Sequence, residues 1–286
     1  MRIRFCTVLF AASLLRASAG ETASATEFTF AFHDGLIWVQ VHARESAAPL
    51  NFLLDSGAGV SVINHPTAEK LGLKRGRRVT VQGVGSTATG YWPQHLSAAP
   101  NAVPLPKKFL SVDLSEHSRA CECNVDGLLG ADFFREHTVQ INFAEKKIRL
   151  SPPNELSKST GVFALQPGHD AMLLPLRVNG GNAQLMRLDT GCATALHWVT
   201  SGTPAKKHDR QPAIALAKLS VSMTETTVQL GDVRFEAVPT ALHDRQIFSG
   251  ESGLLGNGFL SRFKSVTIDA HAGRVALEQV SNSPFN

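Results

Sequence analysis

One short pattern occurs twice in this chain. Asn51-Phe52-Leu53-Leu54-Asp55-Ser56-Gly57-Ala58 in the first half is matched by Gln184-Leu185-Met186-Arg187-Leu188-Asp189-Thr190-Gly191-Cys192 in the second. Each copy runs from a strand-like apolar stretch into Asp, a small hydroxyl residue, Gly and another small residue. Further on, Gly127-Leu128-Leu129-Gly130 is matched by Gly253-Leu254-Leu255-Gly256, 75 residues after Asp55 and 67 after Asp189. Paired bulky residues follow each, and then a run that alternates apolar and polar residues around a turn. In the first half this is Val139 to Phe143 and Ile148 to Leu150. In the second it is Val266 to Asp269 and Val275 to Leu277. Alternation with period two marks half-buried strands, so each half closes on a hairpin. Before each Asp lies a further hairpin pattern, Phe28 to Phe32 with Leu36 to Val41, and Val162 to Leu165 with Met172 to Val178. A period of about 130 residues is too long for a solenoid. It describes two copies of one small β-domain, joined by a Pro- and Ser-containing stretch over 153–161.

The rest of the composition agrees with a folded β protein. Of 286 residues, 43% are hydrophobic and 18% charged, and 23 glycines and 14 prolines supply turns. The N-terminus reads as a leader. Met1-Arg2-Ile3-Arg4 is basic, Phe5 to Leu15 is apolar, and Ala17-Ser18-Ala19 has the small-x-small form of a cleavage site. Ala23-Ser24-Ala25 offers a second cut, so 1–25 is expected to be a signal peptide. The apolar run is shorter than the roughly 20 residues a membrane helix needs. An exported protein, periplasmic or secreted and without membrane attachment after cleavage, is therefore expected. Cleavage after Ala19 removes three arginines and leaves 25 basic residues against 24 acidic. That balance points away from a nucleic-acid partner. The dense run Lys74-Arg75-Gly76-Arg77-Arg78 reads as a solvated turn. Cys121, Cys123 and Cys192 are too few, and odd in number, for a disulfide framework. His117, Cys121 and Cys123 are crowded together without a second cluster, so no metal site is expected. Cys192 has no histidine placed by sequence to activate it, and reads as a small buried thiol.

The repeated aspartates carry the chemistry. A single Asp-Ser-Gly marks many turns. Two copies, each at a strand end and each followed at similar distance by an apolar-apolar-Gly segment, describe two loops related by symmetry. Hydrolysis without a metal or a nucleophile needs a water set between an acid and a base. Two carboxylates about 3 Å apart cannot both ionise, and so share one proton and serve as both. Gly57 and Gly191 would let backbone approach and hydrogen-bond the carboxylates. Ser56 and Thr190 could bond across to the opposite loop.

These motifs resemble those of the pepsin and retropepsin-like aspartic peptidases, and the Gly-Leu-Leu-Gly tails look most like the bacterial retropepsin-like group. The resemblance covers most of residues 27 to 280. It implies an all-β, bilobal pepsin-like fold of two pseudo-symmetric β-barrel lobes with short helices, an N-terminal lobe over 26–152 and a C-terminal lobe over 162–281. It also implies an aspartic endopeptidase acting on peptides or unfolded protein, with Asp55 and Asp189 as catalytic dyad and no cofactor. Both lobes lie in one chain, so a monomer is expected. The hairpin Arg78 to Pro93 is the flap candidate, with Gly83, Val84, Gly85 and Ser86 at its tip. A short helix is predicted over Pro66 to Leu71, stopped at Gly72.

The match has gaps. Ala58 and Cys192 stand where pepsin-like enzymes carry a hydroxyl residue, which implies fewer hydrogen bonds to the carboxylates and a milder pH optimum. The flap tyrosine is not evident; Tyr91 lies towards the return strand. The second half has no tidy helix after its Asp loop, and its flap equivalent is placed only vaguely, near Ser220 to Thr227. His197 and Trp198 read as packing under the sheet or lying on the surface, with a place in a subsite as the alternative. Two other functions stay open at this point: a catalytically silent peptide- or protein-binding module, and a narrowly specific processing protease.

Overall fold

The computed structural model describes residues 26–82, 87–152, 161–168, 170–200, 210–212 and 220–279. The leader 1–25, the flap tip Gly83 to Ser86 and most of the linker lie outside them. Gly161, read above as the last linker residue, is the first of a strand.

The first half contributes β1 (Thr26–Thr29), β2 (Ala31–His33), β3 (Leu36–Val41), β4 (Leu50–Leu54), β5 (Val62–Asn64), α1 (His65–Lys70), β6 (Arg77–Gln82), β7 (Thr87–Gln94), β8 (Phe109–Val112), α2 (Ser115–Ala120), β9 (Gly127–Leu129), α3 (Ala131–Glu136), β10 (Thr138–Asn142) and β11 (Lys147–Ser151). The second contributes β12 (Gly161–Ala164), β13 (Gln166–Pro167), β14 (Met172–Val178), β15 (Ala183–Asp189), β16 (Leu196–Val199), β17 (Arg210–Pro212), β18 (Ser220–Leu230), β19 (Val233–His243), β20 (Gly253–Gly256), α4 (Asn257–Leu260), β21 (Ser265–Asp269) and β22 (Arg274–Glu278).

The repeat is visible in strand order. One eight-stranded sheet runs β2-β3-β4-β9-β5-β8-β7-β6 and the other β13-β14-β15-β20-β16-β19-β18-β17. Position by position these are the same sheet. The expected all-β, bilobal fold with few and short helices is what the chain adopts. In each lobe the strand that ends in the Asp loop pairs in parallel with the Gly-Leu-Leu segment: Leu54 opposite Leu129, and Asp189 opposite Gly256. That pairing binds a loop near residue 55 to one near residue 130, and is why the two motifs recur at similar spacing.

The closing hairpins do more than end their lobes. β10 and β21 pair antiparallel, with Val139 opposite Ile268 and Ile141 opposite Val266, so the two hairpins fuse into one six-stranded sheet, β1-β11-β10-β21-β22-β12. Every residue of β21 is buried. Strands covered on both faces give up strict alternation for continuous burial. This sheet lies beneath both lobes and fixes them to each other.

Two expectations need correction. The first strand read as Phe28 to Phe32 is two: β1 pairs with β11 in the shared sheet, and β2 pairs with β3 in the lobe. The second half breaks at the same place, with β12 on β22 and β13 on β14. By position in the sheet the counterpart of β6–β7 in the second lobe is β17–β18, so Ser220 to Thr227, read above as the second flap equivalent, falls on β18 alone. The helix predicted over Pro66 to Leu71 is α1, shifted by one residue, and Gly72 ends it with φ +66°. Among the described residues the second lobe shows no counterpart of α1; β16 corresponds to β5, and residues 201–209 that follow it lie outside the described ones. No helix among the described residues is long and apolar enough to cross a membrane.

Candidate active site

The two Asp loops meet where the lobes join. Ser56 and Thr190 lock them with four buried hydrogen bonds. The Ser56 N–H donates to Thr190 Oγ1 at 2.9 Å, and the Thr190 N–H to Ser56 Oγ at 3.0 Å. Ser56 Oγ then donates to the Leu188 carbonyl and Thr190 Oγ1 to the Leu54 carbonyl, each at 2.8 Å. Each hydroxyl therefore both accepts from and donates to the main chain of the opposite loop. A methyl group could do neither.

The glycines allow close approach. A Cβ on Gly57 would stand 2.4 Å from Asp189 Cγ, and one on Gly191 would stand 2.4 Å from Asp55 Cγ. Each carboxyl thus sits against the bare Cα of the opposite loop, and the two side chains are hydrogen-bonded to each other. At Gly130 and Gly256 a Cβ would lie within 2.5 Å of main-chain atoms of the Asp-loop segments Val60-Ser61 and Cys192 to Thr194. The Gly-Leu-Leu-Gly segments need glycine at this crossing for steric reasons.

The pair is not symmetric. Asp55 Oδ1 accepts from the Gly57 and Ala58 N–H groups, both at 3.0 Å, and the imidazole of His117 on α2 also favours its anion. Asp189 Oδ1 accepts from Gly191 N–H at 2.9 Å. Burial raises both carboxyls above the usual carboxylate range, and Asp189 is raised well above it, by burial first and by the charge of Asp55 second. Asp189 is buried and Asp55 partly exposed. These shifts favour Asp55 as the ionised member of the pair and Asp189 as the protonated one.

Around this centre the lobes exchange further contacts that sequence reasoning missed. Buried Asn257, at the start of α4, donates to the Thr190 carbonyl at 2.6 Å and to the Gly35 carbonyl of the other lobe at 2.9 Å. Arg187 on β15 pairs with Glu251 and donates to the Gly57 carbonyl at 2.8 Å. The signal for both lay in comparing the repeats: Ala131 stands at the place of Asn257, and Leu53 at that of Arg187. A polar residue at a position apolar in the other copy is where the lobes do different work.

Of the other residues singled out, Tyr91 lies on β7 and stacks on His65, with Arg75 over its ring at 4.7 Å. Cys121, Cys123 and Cys192 are free thiols. Cys192 is buried, and burial together with Asp189 pushes its pKa well up, as suits an inert thiol. Trp198 is half-buried and donates from Nε1 to Gln184 at 2.8 Å.

His197 is buried and hydrogen-bonds His243, Nδ1 to Nε2, at 2.8 Å. One ring must donate and the other accept, so the accepting ring is neutral. Burial, and then His243, lowers the His197 pKa from 6.5 to about 4; burial also lowers that of His243. Between pH 4 and 6.5 these histidines therefore bind fewer protons in the folded chain than in the unfolded one, and their contribution to stability rises with pH through that window. A shift of this size corresponds to roughly 3 kcal/mol lost at the acid end. The thermal midpoint is expected to fall on acidification from pH 7 to 4. A variant with both residues changed, His197→Asn and His243→Asn, should lose that slope; an unchanged slope would contradict the assignment.

Comparison with known proteins agrees with this geometry. Residues 39–133 match the family model described as aspartyl protease, Asp_protease_2. No curated protein sequence matches the chain. Among solved structures, the aspartic proteinase from Irpex lacteus superposes with a TM-score of 0.57 at 13% identity, over 92% of this chain and 100% of that one. Residues 39–133 thus carry the sequence pattern of the aspartyl protease family, and the chain as a whole has the bilobal fold of the pepsin-like aspartic proteinases.

Proposed function

We propose that this protein is an exported aspartic endopeptidase, working as a monomer with one lobe over 26–152 and the other over 162–281. It hydrolyses peptide bonds with a water activated by Asp55 and Asp189. The observation that carries this reading is the mutual seating of the two carboxyls, each against the bare Cα of the opposite loop and bonded to the other. A buried pair of carboxyls costs folding energy and returns little stability. A protein that only bound peptides would have no use for it.

The chemistry follows from the asymmetry. Ionised Asp55 takes a proton from the water as the oxygen attacks the peptide carbonyl carbon. Protonated Asp189 gives its proton to the carbonyl oxygen, so the tetrahedral intermediate forms without a free oxyanion. Collapse of that intermediate returns the proton through the same pair to the leaving nitrogen. No cofactor enters. The β6–β7 hairpin is read as the flap that covers the substrate; Gly83, Val84, Gly85 and Ser86, taken from the sequence as its tip, lie outside the described residues.

The test is cleavage of an unfolded protein by the purified protein from acidic to neutral pH, beside an Asp189→Asn control. Cleavage that disappears in the control is expected. Cleavage that survives it would overturn the dyad, and none at any pH would leave a peptide-binding module.

A further inference from the structure

Arg187 stands two residues before Asp189, where the first lobe has Leu53 two residues before Asp55. Side chains two apart on a strand share a face. Leu53 therefore lies on the face of its Asp loop, and it packs there with Leu36, Trp38, Val62 and Leu128. Arg187 is as deeply placed, 7% exposed against 4% for Leu53. A guanidinium at such a depth needs partners for its donors. It has them. Nε donates to Glu251 Oε2 at 2.8 Å and Nη2 to Oε1 at 2.5 Å, a two-bonded fork. The Phe248 ring lies 3.9 Å from the guanidinium carbon. The remaining arm reaches into the other lobe, where Nη1 donates to the Gly57 carbonyl at 2.8 Å.

That carbonyl is one end of the Gly57–Ala58 peptide unit. The other end, the Ala58 N–H, donates to Asp55 Oδ1 at 3.0 Å and more weakly to the Asp55 carbonyl at 3.2 Å. The atoms form a line: guanidinium, peptide oxygen, peptide N–H, carboxylate. Hydrogen bonds in series polarise one another, and a cation at the head of the line makes the N–H at its tail a stronger donor. The second loop has nothing comparable. Leu53 carries no donor, and the Cys192 N–H goes to the main-chain carbonyl of Asp189 at 3.2 Å.

We infer that Arg187, held by Glu251, is a positioning residue that acts through the Gly57–Ala58 peptide to keep Asp55 the ionised member of the pair. This rests on the reading of Asp55 and Asp189 as a working dyad and goes beyond it, since it names what breaks their symmetry. The titratable and charged groups around Asp55 are Asp189 and Cys192 from the second loop, His117 from α2, and the Arg187–Glu251 pair. The charge of Arg187 also favours ionisation of Asp189, but of these groups only Arg187 reaches Asp55 through the peptide that its carboxylate accepts from.

The experiment is a ¹³C NMR titration of the aspartate carboxyls, with Asp55 and Asp189 assigned, in the full-length protein and two variants. Arg187→Leu with Glu251→Leu removes the ion pair and restores the apolar character of the Leu53 position. The lower apparent pKa of the pair, reported by Asp55, is expected to rise by about one unit, a tenfold smaller ionised fraction at low pH. Arg187→Lys keeps a cation beside Glu251, but a single ammonium head cannot also hold the Gly57 carbonyl. It is expected to shift Asp55 the same way by less. An Asp55 titration that coincides with wild type in the folded double variant would overturn the proposal. Should the double variant not fold, an unshifted Asp55 in Arg187→Lys would overturn it. Peptide cleavage is measured on the same samples. A wild type that cuts nothing would sink the hydrolase reading, while the titration still decides what Arg187 does.

Discussion

Asp189→Asn is expected to fold as the wild type does and to cleave peptides about 10²–10⁴-fold more slowly, the range lost with a positioned acid or base. Asparagine keeps the volume and keeps an oxygen for the Gly191 N–H, which donates at 2.9 Å in the native loop. The grip between Ser56 and Thr190 does not involve the carboxyl and stays intact. What disappears is the shared proton. The amide cannot deliver one to a carbonyl oxygen, and Asp55 loses the neighbour whose charge it is coupled to. Steady-state kinetics should show the loss in kcat with KM little changed, and circular dichroism should be native. A fall in activity that tracked a fall in folded fraction would contradict this.

The second large effect is on stability. Glu251→Ala leaves the Arg187 guanidinium buried with its fork unpaired, and removing one partner of a buried ion pair costs about 3–5 kcal/mol. For a chain of this size that corresponds to a fall in Tm of about 10 °C. Replacing both partners by leucine should cost far less, because no charge is then left in an apolar place. The contrast between single and double variants is the diagnostic: equal losses would mean that Glu251 packs rather than pairs.

The parts of this molecule legible in the sequence are those that occur twice. Asp55-Ser56-Gly57 and Asp189-Thr190-Gly191 could be aligned without any structure, as could the two Gly-Leu-Leu-Gly segments. Both need glycine for a steric reason that tolerates no drift. The closing hairpins were legible as strands from their alternation. Their fusion through β10 and β21 was not, because a period-two pattern states which face is buried and not which strand lies alongside. The same limit hid the division of Phe28 to Phe32, where the chain passes from the shared sheet to the lobe at Phe30 with no change of pattern.

What differs between the copies was harder to see. Nothing within its own strand marks the role of Arg187, since its partners Glu251 and Gly57 lie 64 residues after it and 130 before it. Asn257 follows a motif whose other copy has alanine there, and its role depends on a turn at Gly35. His197 and His243 are brought together only by the parallel pairing of β16 with β19, which places Val199 opposite His243. In each case the functional content is a contact between distant strands, and periodicity along one strand carries no record of it.

If two carboxyls sharing one proton do the hydrolysis, the pH dependence of kcat/KM on an unfolded-protein substrate will show it. Activity needs one proton on the pair, so it is lost at low pH as Asp55 gains one and at high pH as Asp189 gives one up. Burial raises both carboxyls and Asp189 the more. The expected profile is bell-shaped, displaced from strong acid towards neutrality, and abolished in Asp189→Asn. A maximum confined to strongly acidic pH, or a profile that Asp189→Asn leaves in place, would contradict it.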